Sequence, residues 1–443
     1  MVPHVIIVGG GFGGLSAARA LHGAAVRVTL IDKRNYHLFR PMLYQVATGL
    51  LSDDEISGPL RSILSDQENI DVLLNEVTSI SPRQRMVHLK KTDLAYDFLI
   101  LSTGIRYNYF GNDQWRTFAP GLESLDDADT IRSKILLAFE RAEGLASTSE
   151  ALKGLPTEEI RRLLTFALVG AGTVGVEMAS TLAEMSRMAL AHDFRHIDPR
   201  TARILLYEAG PRILPTYAEV LSRKAQQHLE RLGVEVFTNA RVTGVDWDGI
   251  LVSGQRVPAG TVLWGAGVVA SPAGRWLGTE TDKSGKIKVQ PDLSVRDHPE
   301  VFAIGDTAHL VAPVRNLFGI KSPTPMLMPG VAQPAIQEGK YVAGGIRRRV
   351  EGRAQPEPFW YWDKGDLAIV GRTYAVADLR FAKFAGFPAW VLWAVVHIYF
   401  LIGFANRLFV LLQWGLAFLT KRRRVRVLSE EPPSAQNLTD PAA

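Results

Sequence analysis

The chain has 443 residues, with 39 glycines, 24 prolines and no cysteine. At roughly 150 residues per domain, that length suits two or three domains with substantial cores. A composition of 47% apolar and 21% charged residues excludes a disordered chain. The lack of cysteine excludes a disulfide framework, a cysteine-ligated zinc or iron–sulfur cluster, and any thiol redox centre or cysteine nucleophile.

The net charge of +5 is unevenly placed. Residues 372 to 428 hold nine Lys/Arg against one Asp, and the tail from 429 to 443 carries Glu430, Glu431 and Asp440 with no base. Residues 1 to 371 are therefore neutral overall. A neutral body with a basic, apolar C-terminal segment predicts an enzyme on a membrane foot. A nucleic-acid binder would carry its basic side chains on the body. After Met1 the chain passes almost directly into an apolar strand, without the pattern of a secretory signal. The body is expected to stay in the compartment where it is made.

Val5-Ile6-Ile7-Val8 is a continuous apolar run, as in a strand buried on both faces of a parallel sheet. Gly9, Gly11 and Gly14 follow at G-x-G-x-x-G spacing, then a helix from Leu15, then a strand over Val26 to Ile31 that ends at Asp32. The same grammar returns later. Leu164 to Val169 reads as a strand, Gly170, Gly172 and Gly175 form the turn, and Val176 to Met188 reads as a helix. The next strand runs from Arg203 to Tyr207 and ends at Glu208, with Ala191 to Thr201 as an inserted loop or helix extension.

In such a unit the first glycine permits the tight turn and the second lets a pyrophosphate approach the backbone. The third lets helix and strand pack closely. The phosphates then meet free N–H groups at the positive end of the helix dipole. Two units imply two dinucleotides. Asp32 and Glu208 both favour a free ribose 2′-hydroxyl, as in FAD and NADH, while Arg212 leaves room for NADPH. Two further strands belong with the first cofactor: Tyr96 to Leu101, leading into Thr103 and Gly104, and Val301 to Ile304, ending at Gly305 and Asp306. Asp306 is either a helix N-cap or a carboxylate that grips a flavin ribityl hydroxyl.

Four segments carry a family likeness. They are Asn35 to Gly49, Gly170 to Glu177, Ala332-Gln333-Pro334-Ala335-Ile336-Gln337, and Asp363 to Arg372. On these residues the chain resembles the type II NADH:quinone oxidoreductases, among the two-dinucleotide flavoprotein reductases, over residues 4 to 428. The first segment is similar to the family's flavin-side loop, the third to its A-Q-x-A-x-Q quinone motif, and the fourth to its pre-membrane flavin motif. Met328-Pro329-Gly330 departs from the family's consecutive prolines. Sulfide:quinone and disulfide reductases look similar but need cysteines, which this chain lacks.

The resemblance implies an α/β fold of two Rossmann-like dinucleotide-binding domains with a C-terminal membrane-associated helical segment. A discontinuous FAD domain would take residues 1–123 and 288–372, and an NADH domain residues 124–287. Membrane-anchoring amphipathic helices would take 373–428, and an acidic, disordered tail 429–443. Non-covalent FAD would meet Gly9, Gly11, Phe12, Gly14, Asp32, Lys33, Thr48, Thr103, Gly104, Gly305, Asp306, Ala332 and Gln333. NADH, as substrate, would meet Gly170, Gly172, Gly175, Glu208 and Gly267.

Glu177 is either a carboxylate favoured by the helix dipole or a group beside the nicotinamide and quinone that orients the ring or delivers a proton. Lys364 is either a surface lysine or a cation near the flavin N1/O2 edge. Gln333 and Gln337, four apart, share one helix face, either as a polar stripe or on the quinone side of the flavin. His37 and His397 lack metal-ligand spacing and read as structural, and no metal is expected.

The first 19 residues of the apolar run from Phe387 to Leu419 are long enough to span a bilayer. A single span would place Lys421, Arg422, Arg423, Arg424 and Arg426 across the membrane from a cytoplasmic body, against the positive-inside tendency. Asn406, Gln413 and Thr420 recur every seven residues as a polar stripe. That predicts a helix lying in the interface, with Trp390, Trp393 and Trp414 at headgroup depth. The expected enzyme sits on the cytoplasmic face of the cell membrane and moves a hydride from NADH to FAD. Two electrons then pass to a membrane quinone without ion pumping. A reductase of a soluble redox protein and a membrane-docked NADH sensor remain as alternatives, and a homodimer stays open.

Overall fold

A computed structural model describes residues 2–148, 158–420 and 428. The basic cluster from Lys421 to Arg426 and the acidic tail lie outside the described residues. The chain divides into two compact units. One takes Met1–Leu38, Ser57–Arg106 and Val268–Gly365, and the other Phe39–Ile56, Tyr107–Gly267 and Asp366–Ala443.

Strand β1 (His4–Val8), helix α1 (Phe12–Ala20) and strand β2 (Arg27–Asp32) open the first unit. Helix α2 (Leu43–Ala47) belongs to the second, and β3 (Ile70–Leu74) and β4 (Phe98–Leu101) to the first. The second unit continues with α3 (Leu125–Thr148), β5 (Thr165–Val169), α4 (Thr173–Glu184), β6 (Arg203–Tyr207), β7 (Val234–Phe237) and β8 (Thr261–Trp264). The first resumes with β9 (Ser294–Val295), β10 (His298–Ala303) and α5 (Ala332–Val350). Helices α6 (Phe387–Phe400) and α7 (Phe404–Thr420) complete the second.

Each unit is a Rossmann-like half. In the first, the six-stranded order is β9-β10-β4-β1-β2-β3, parallel except at β9–β10. In the second, the four-stranded order is β7-β6-β5-β8, all parallel. Every residue of β1 and β5 is buried, as the unbroken apolar runs predict.

Residues 107–123 group with the second sheet and 268–287 with the first. The packing gives the reason. Tyr109 and Trp115 join the core around Trp264, whose backbone N–H donates to Pro120 O at 3.0 Å. Ala273 and Leu277 join the core around Ile6 and Leu99. The inserted loop of the second unit is held by one carboxylate. Glu143 accepts from the backbone N–H of Arg195, His196 and Ile197, each at 3.0 Å.

The apolar C-terminal run is not one helix. It breaks at Leu401-Ile402-Gly403, where Gly403 adopts φ +85° and Arg407 Nε donates to Leu401 O at 2.8 Å. Among the described residues no helix is long and apolar enough to cross a membrane. Asn406 and Gln413 are half-buried, while Leu408, Phe409, Leu411, Leu412 and Leu416 are exposed. Trp393 is buried rather than presented at the surface. It stacks on His397 at 4.2 Å and packs against Trp414, whose Nε1 donates to Gln45 at 2.8 Å. The exposed faces of α6 and α7 are therefore the apolar ones, with Val395 62% and Tyr399 69% exposed. So large an apolar patch marks an interaction surface.

Helix α5 lies tightly on α1, because Gly339 faces Gly13. A Cβ on Gly339 would come within 2.3 Å of Gly13 O and 3.1 Å of Ala17 N. Both neighbours are backbone and cannot turn aside. Gly339→Ala is expected to lower stability by about 2 kcal/mol through overpacking. Chemical denaturation checks this, and an unchanged midpoint would contradict the close α1–α5 contact.

Candidate active site

The two glycine turns are built alike. Gly9 adopts φ +102° and Gly170 φ +97°, where a side chain is strained. A Cβ on Gly14 would meet Gly9 O at 1.8 Å, and one on Gly175 would meet Gly170 O at 1.9 Å. Around the middle glycines, Gly11 and Gly172, nothing lies within 4 Å of the Cβ position. So two glycines in each turn are demanded by backbone packing, and the middle one borders open space. Helices α1 and α4 start there without a side-chain cap and without an acid in the first turn. Their free N–H groups and dipoles are left for an anion.

The acid after each second strand locks its turn. Asp32 accepts from Gly10 N–H at 2.6 Å and Arg34 N–H at 2.8 Å. Glu208 accepts from Ala171 N–H at 2.8 Å and Gly210 N–H at 2.7 Å. Each oxygen keeps lone-pair capacity for a ribose hydroxyl. Arg212 donates to Tyr217 O at 2.7 Å and Pro215 O at 2.6 Å, so its guanidinium serves its own loop. Lys33 is exposed beside the first acid.

His37 sits under the first turn. Its Nδ1 lies 2.9 Å from Gly10 O, its ring meets Phe12 edge-on at 5.1 Å, and burial pushes its pKa down to about 4. Its Nε2 is buried and has no hydrogen-bond partner among the described residues. The uncapped helix, the open space at Gly11, the ribose acceptor and this unpartnered nitrogen together fit a dinucleotide such as FAD.

The first unit gathers further predicted residues. The Thr103 and Ser271 hydroxyls form a short hydrogen bond, and Gly104 N–H donates to Thr307 Oγ1 at 3.0 Å. Gly305, at φ +62°, carries Asp306, and a Cβ on Gly330 would stand 2.8 Å from the Asp306 Oδ1. Ala332 opens α5, and Gln333 and Gln337 follow on it. Gln333 is half-buried, but Gln337 is engaged with the backbone of Trp362. Its Nε2 donates to Trp362 O at 3.1 Å and its Oε1 accepts Trp362 N–H at 3.0 Å. Lys364 Nζ lies 5.3 Å from the Trp362 ring centre, and burial lowers its pKa. Gln337 is thus a clasp on the strand that leads to Lys364.

In the second unit Thr48 is fully buried, and its hydroxyl donates to Tyr44 O at 2.8 Å. Gly267, at φ +69°, packs on the Phe110 ring. Glu177 lies one turn inside α4 rather than in its first turn, so the helix-dipole reading of it does not hold. Burial pushes its pKa well above the carboxylate range, against a lowering hydrogen bond from the Ile369 backbone. Its surroundings favour the protonated form. Tyr217, also buried, has its pKa raised by burial and by the nearby Asp366 and Glu177.

Glu338 was missed in the sequence. It is 1% exposed and accepts from Gly305 N–H at 2.5 Å. The signal was its place beside Gln337, on the α1-facing side of α5. Burial, then Asp306, raises its pKa to about 7 against the lowering effect of Gly305.

The Pyridine nucleotide-disulphide oxidoreductase family profile matches residues 3–339. Type II NADH:quinone oxidoreductase NdhA of Mycobacterium tuberculosis is 42% identical over 95% of this chain and 88% of its own. Ndh of the same organism, with the same family name, is 41% identical over 98% and 91%. The solved structure of NDH2 from Plasmodium falciparum in complex with NADH shares the fold. Its TM-score is 0.82 at 21% identity, over 95% of this chain and 99% of that one.

Glu338 supplies a pH test. Between about pH 4.5 and 7 the unfolded chain has released this proton while the folded chain keeps it. Stability is therefore fullest below that window and falls as pH rises through it, by about 3 kcal/mol at most. Glu338→Gln keeps an acceptor for Gly305 and removes the titration. The fall in Tm across that window should be shallower in the variant than in the parent chain, and identical profiles would contradict a proton held on Glu338. Taken with the geometry of both turns, these likenesses place the chain plainly: it belongs to the type II NADH:quinone oxidoreductases, within the pyridine nucleotide-disulphide oxidoreductase family.

Proposed function

We propose that the chain oxidises NADH and reduces a membrane quinone through non-covalently bound FAD, without pumping ions. The observation that carries this reading is the twice-built turn: open space at a middle glycine, an uncapped helix, and an acid locking the loop. The first turn takes FAD and the second NADH. When bound, FAD accepts the hydride and passes on two electrons. Glu208 accepts from the ribose hydroxyls of NADH, and it would repel a 2′-phosphate. Arg212 turns its guanidinium to its own loop, which favours NADH over NADPH.

The other residues divide the work. Asp306 and Thr103 bind the flavin's polar chain, with Gly305 held in register by Glu338. Lys364 brings positive charge to the isoalloxazine edge. Gln333 faces the quinone, and Gln337 acts by holding the Trp362–Lys364 segment. Glu177, a buried neutral acid, supplies a proton as the quinone takes up electrons. The apolar faces of α6 and α7 meet the lipid. The basic sequence from Lys421 to Arg426 favours the cytoplasmic leaflet.

Glu177→Gln tests the proton assignment with nearly the same shape and no proton to give. Quinone-dependent kcat should fall about 100-fold, with unchanged flavin content and unchanged reduction by NADH. Turnover equal to the parent chain would remove Glu177 from that role.

A further inference from the structure

The first unit carries an exposed turn that the nucleotide chemistry does not use. Residues 315–321 run Arg-Asn-Leu-Phe-Gly-Ile-Lys. Asn316 organises the tip, since its Oδ1 accepts from Phe318 N–H and Ile320 N–H, each at 3.0 Å. Its backbone N–H donates to Ile320 O at 2.9 Å, and Gly319 closes the turn at φ +77°. A rigid tip thus presents Phe318, 66% exposed, and Ile320, 64% exposed, next to Leu317.

The surroundings have a consistent chemistry. Trp360 and Trp362 are both partly exposed beside the tip, and Trp362 Nε1 donates to Leu317 O at 3.3 Å. The Arg315 guanidinium lies 4.2 Å from the Trp360 ring centre. Arg315 and Lys321 bracket the tip, and no acidic residue occurs from Leu310 to Met328. Asp363, next to Trp362, is buried and accepts from Gly365 N–H, which leaves Glu357, three residues before Trp360, as the one exposed acid within three residues of either tryptophan. Apolar prongs, a tryptophan belt and a cationic collar are the profile of an element that enters an anionic lipid interface.

We propose that the 315–321 turn is a second lipid-contact element, carried by the first unit and separate from α6 and α7, whose partner is an anionic bilayer surface. This inference rests on the reading that the enzyme works at a membrane. It adds a function for Trp362. The same residue that Gln337 clasps on the quinone-motif helix also holds the tip. One rigid path therefore runs from the lipid-facing turn to α5.

The cysteine-free chain allows a single-site test. Phe318→Cys, Leu412→Cys and Trp247→Cys are each labelled with an environment-sensitive fluorophore in the full-length protein. Vesicles of phosphatidylglycerol and phosphatidylcholine are then added. The label at 318 should brighten, shift to the blue, and be quenched by doxyl lipid, as should the label at 412 on α7. The label at 247, on an exposed turn of the second unit, should do neither. Adding Arg315→Gln and Lys321→Gln to the 318-labelled protein should weaken its response about 10-fold. A silent label at 318 beside a responding one at 412 overturns the proposal and leaves the membrane reading intact. Silence at both positions overturns both. A change at 318 that follows protein concentration and not vesicles assigns the tip to a second copy of the chain and also overturns the proposal.

Discussion

The structure depends on a carboxylate reaching back across a strand end to a glycine turn. Asp32 does this to Gly10 at 2.6 Å and Glu208 to Ala171 at 2.8 Å. The bond ties down a turn whose last glycine tolerates no side chain, since a Cβ on Gly14 would meet Gly9 O at 1.8 Å and one on Gly175 would meet Gly170 O at 1.9 Å. With the turn fixed, the helix that follows must begin uncapped. An uncapped helix N-terminus facing open space invites a phosphate. The same carboxylate that closes the loop also offers acceptors to a ribose, so folding and nucleotide choice rest on one group.

Two buried acids stand out among the titratable groups. Glu177 in the second unit and Glu338 in the first both lie in surroundings that favour the neutral form. Their geometries separate their tasks. Glu338 is tied to the turn that carries Asp306, so it positions. Glu177 meets the Ile369 backbone and shares its surroundings with Tyr217, and the proposed function gives it the proton for the quinone. Neither carboxyl needs a metal or a thiol, in keeping with a chain that has no cysteine.

The two Rossmann-like halves and their nucleotide turns were legible in the sequence. Glycine spacing, flanking apolar runs and a terminal acid are local features, and each has a single mechanical reading. What the sequence could not supply were contacts made at a distance. Gln337 was read as a polar-stripe or quinone-side amide, and its partner, the Trp362 backbone, lies 25 residues on, out of reach of sequence spacing. Glu338 was not singled out at all, because its partner, the Gly305 N–H, lies 33 residues before it. The seven-residue stripe of Asn406 and Gln413 was read correctly as one face of a helix. Its direction stayed open, because period alone does not say which face meets the protein. Trp414 turned inward because Gln45 offers its side chain an acceptor.

The central claim is that FAD, held by the first turn, would take a hydride from NADH and pass two electrons to a quinone. Anaerobic mixing of the flavin-loaded protein with NADH, followed by a quinone, tests it most directly. The account predicts that NADH bleaches the flavin absorbance far faster than NADPH does, and that the quinone restores it without oxygen. Flavin that stays coloured with NADH, or that bleaches and is not restored by the quinone, would contradict it.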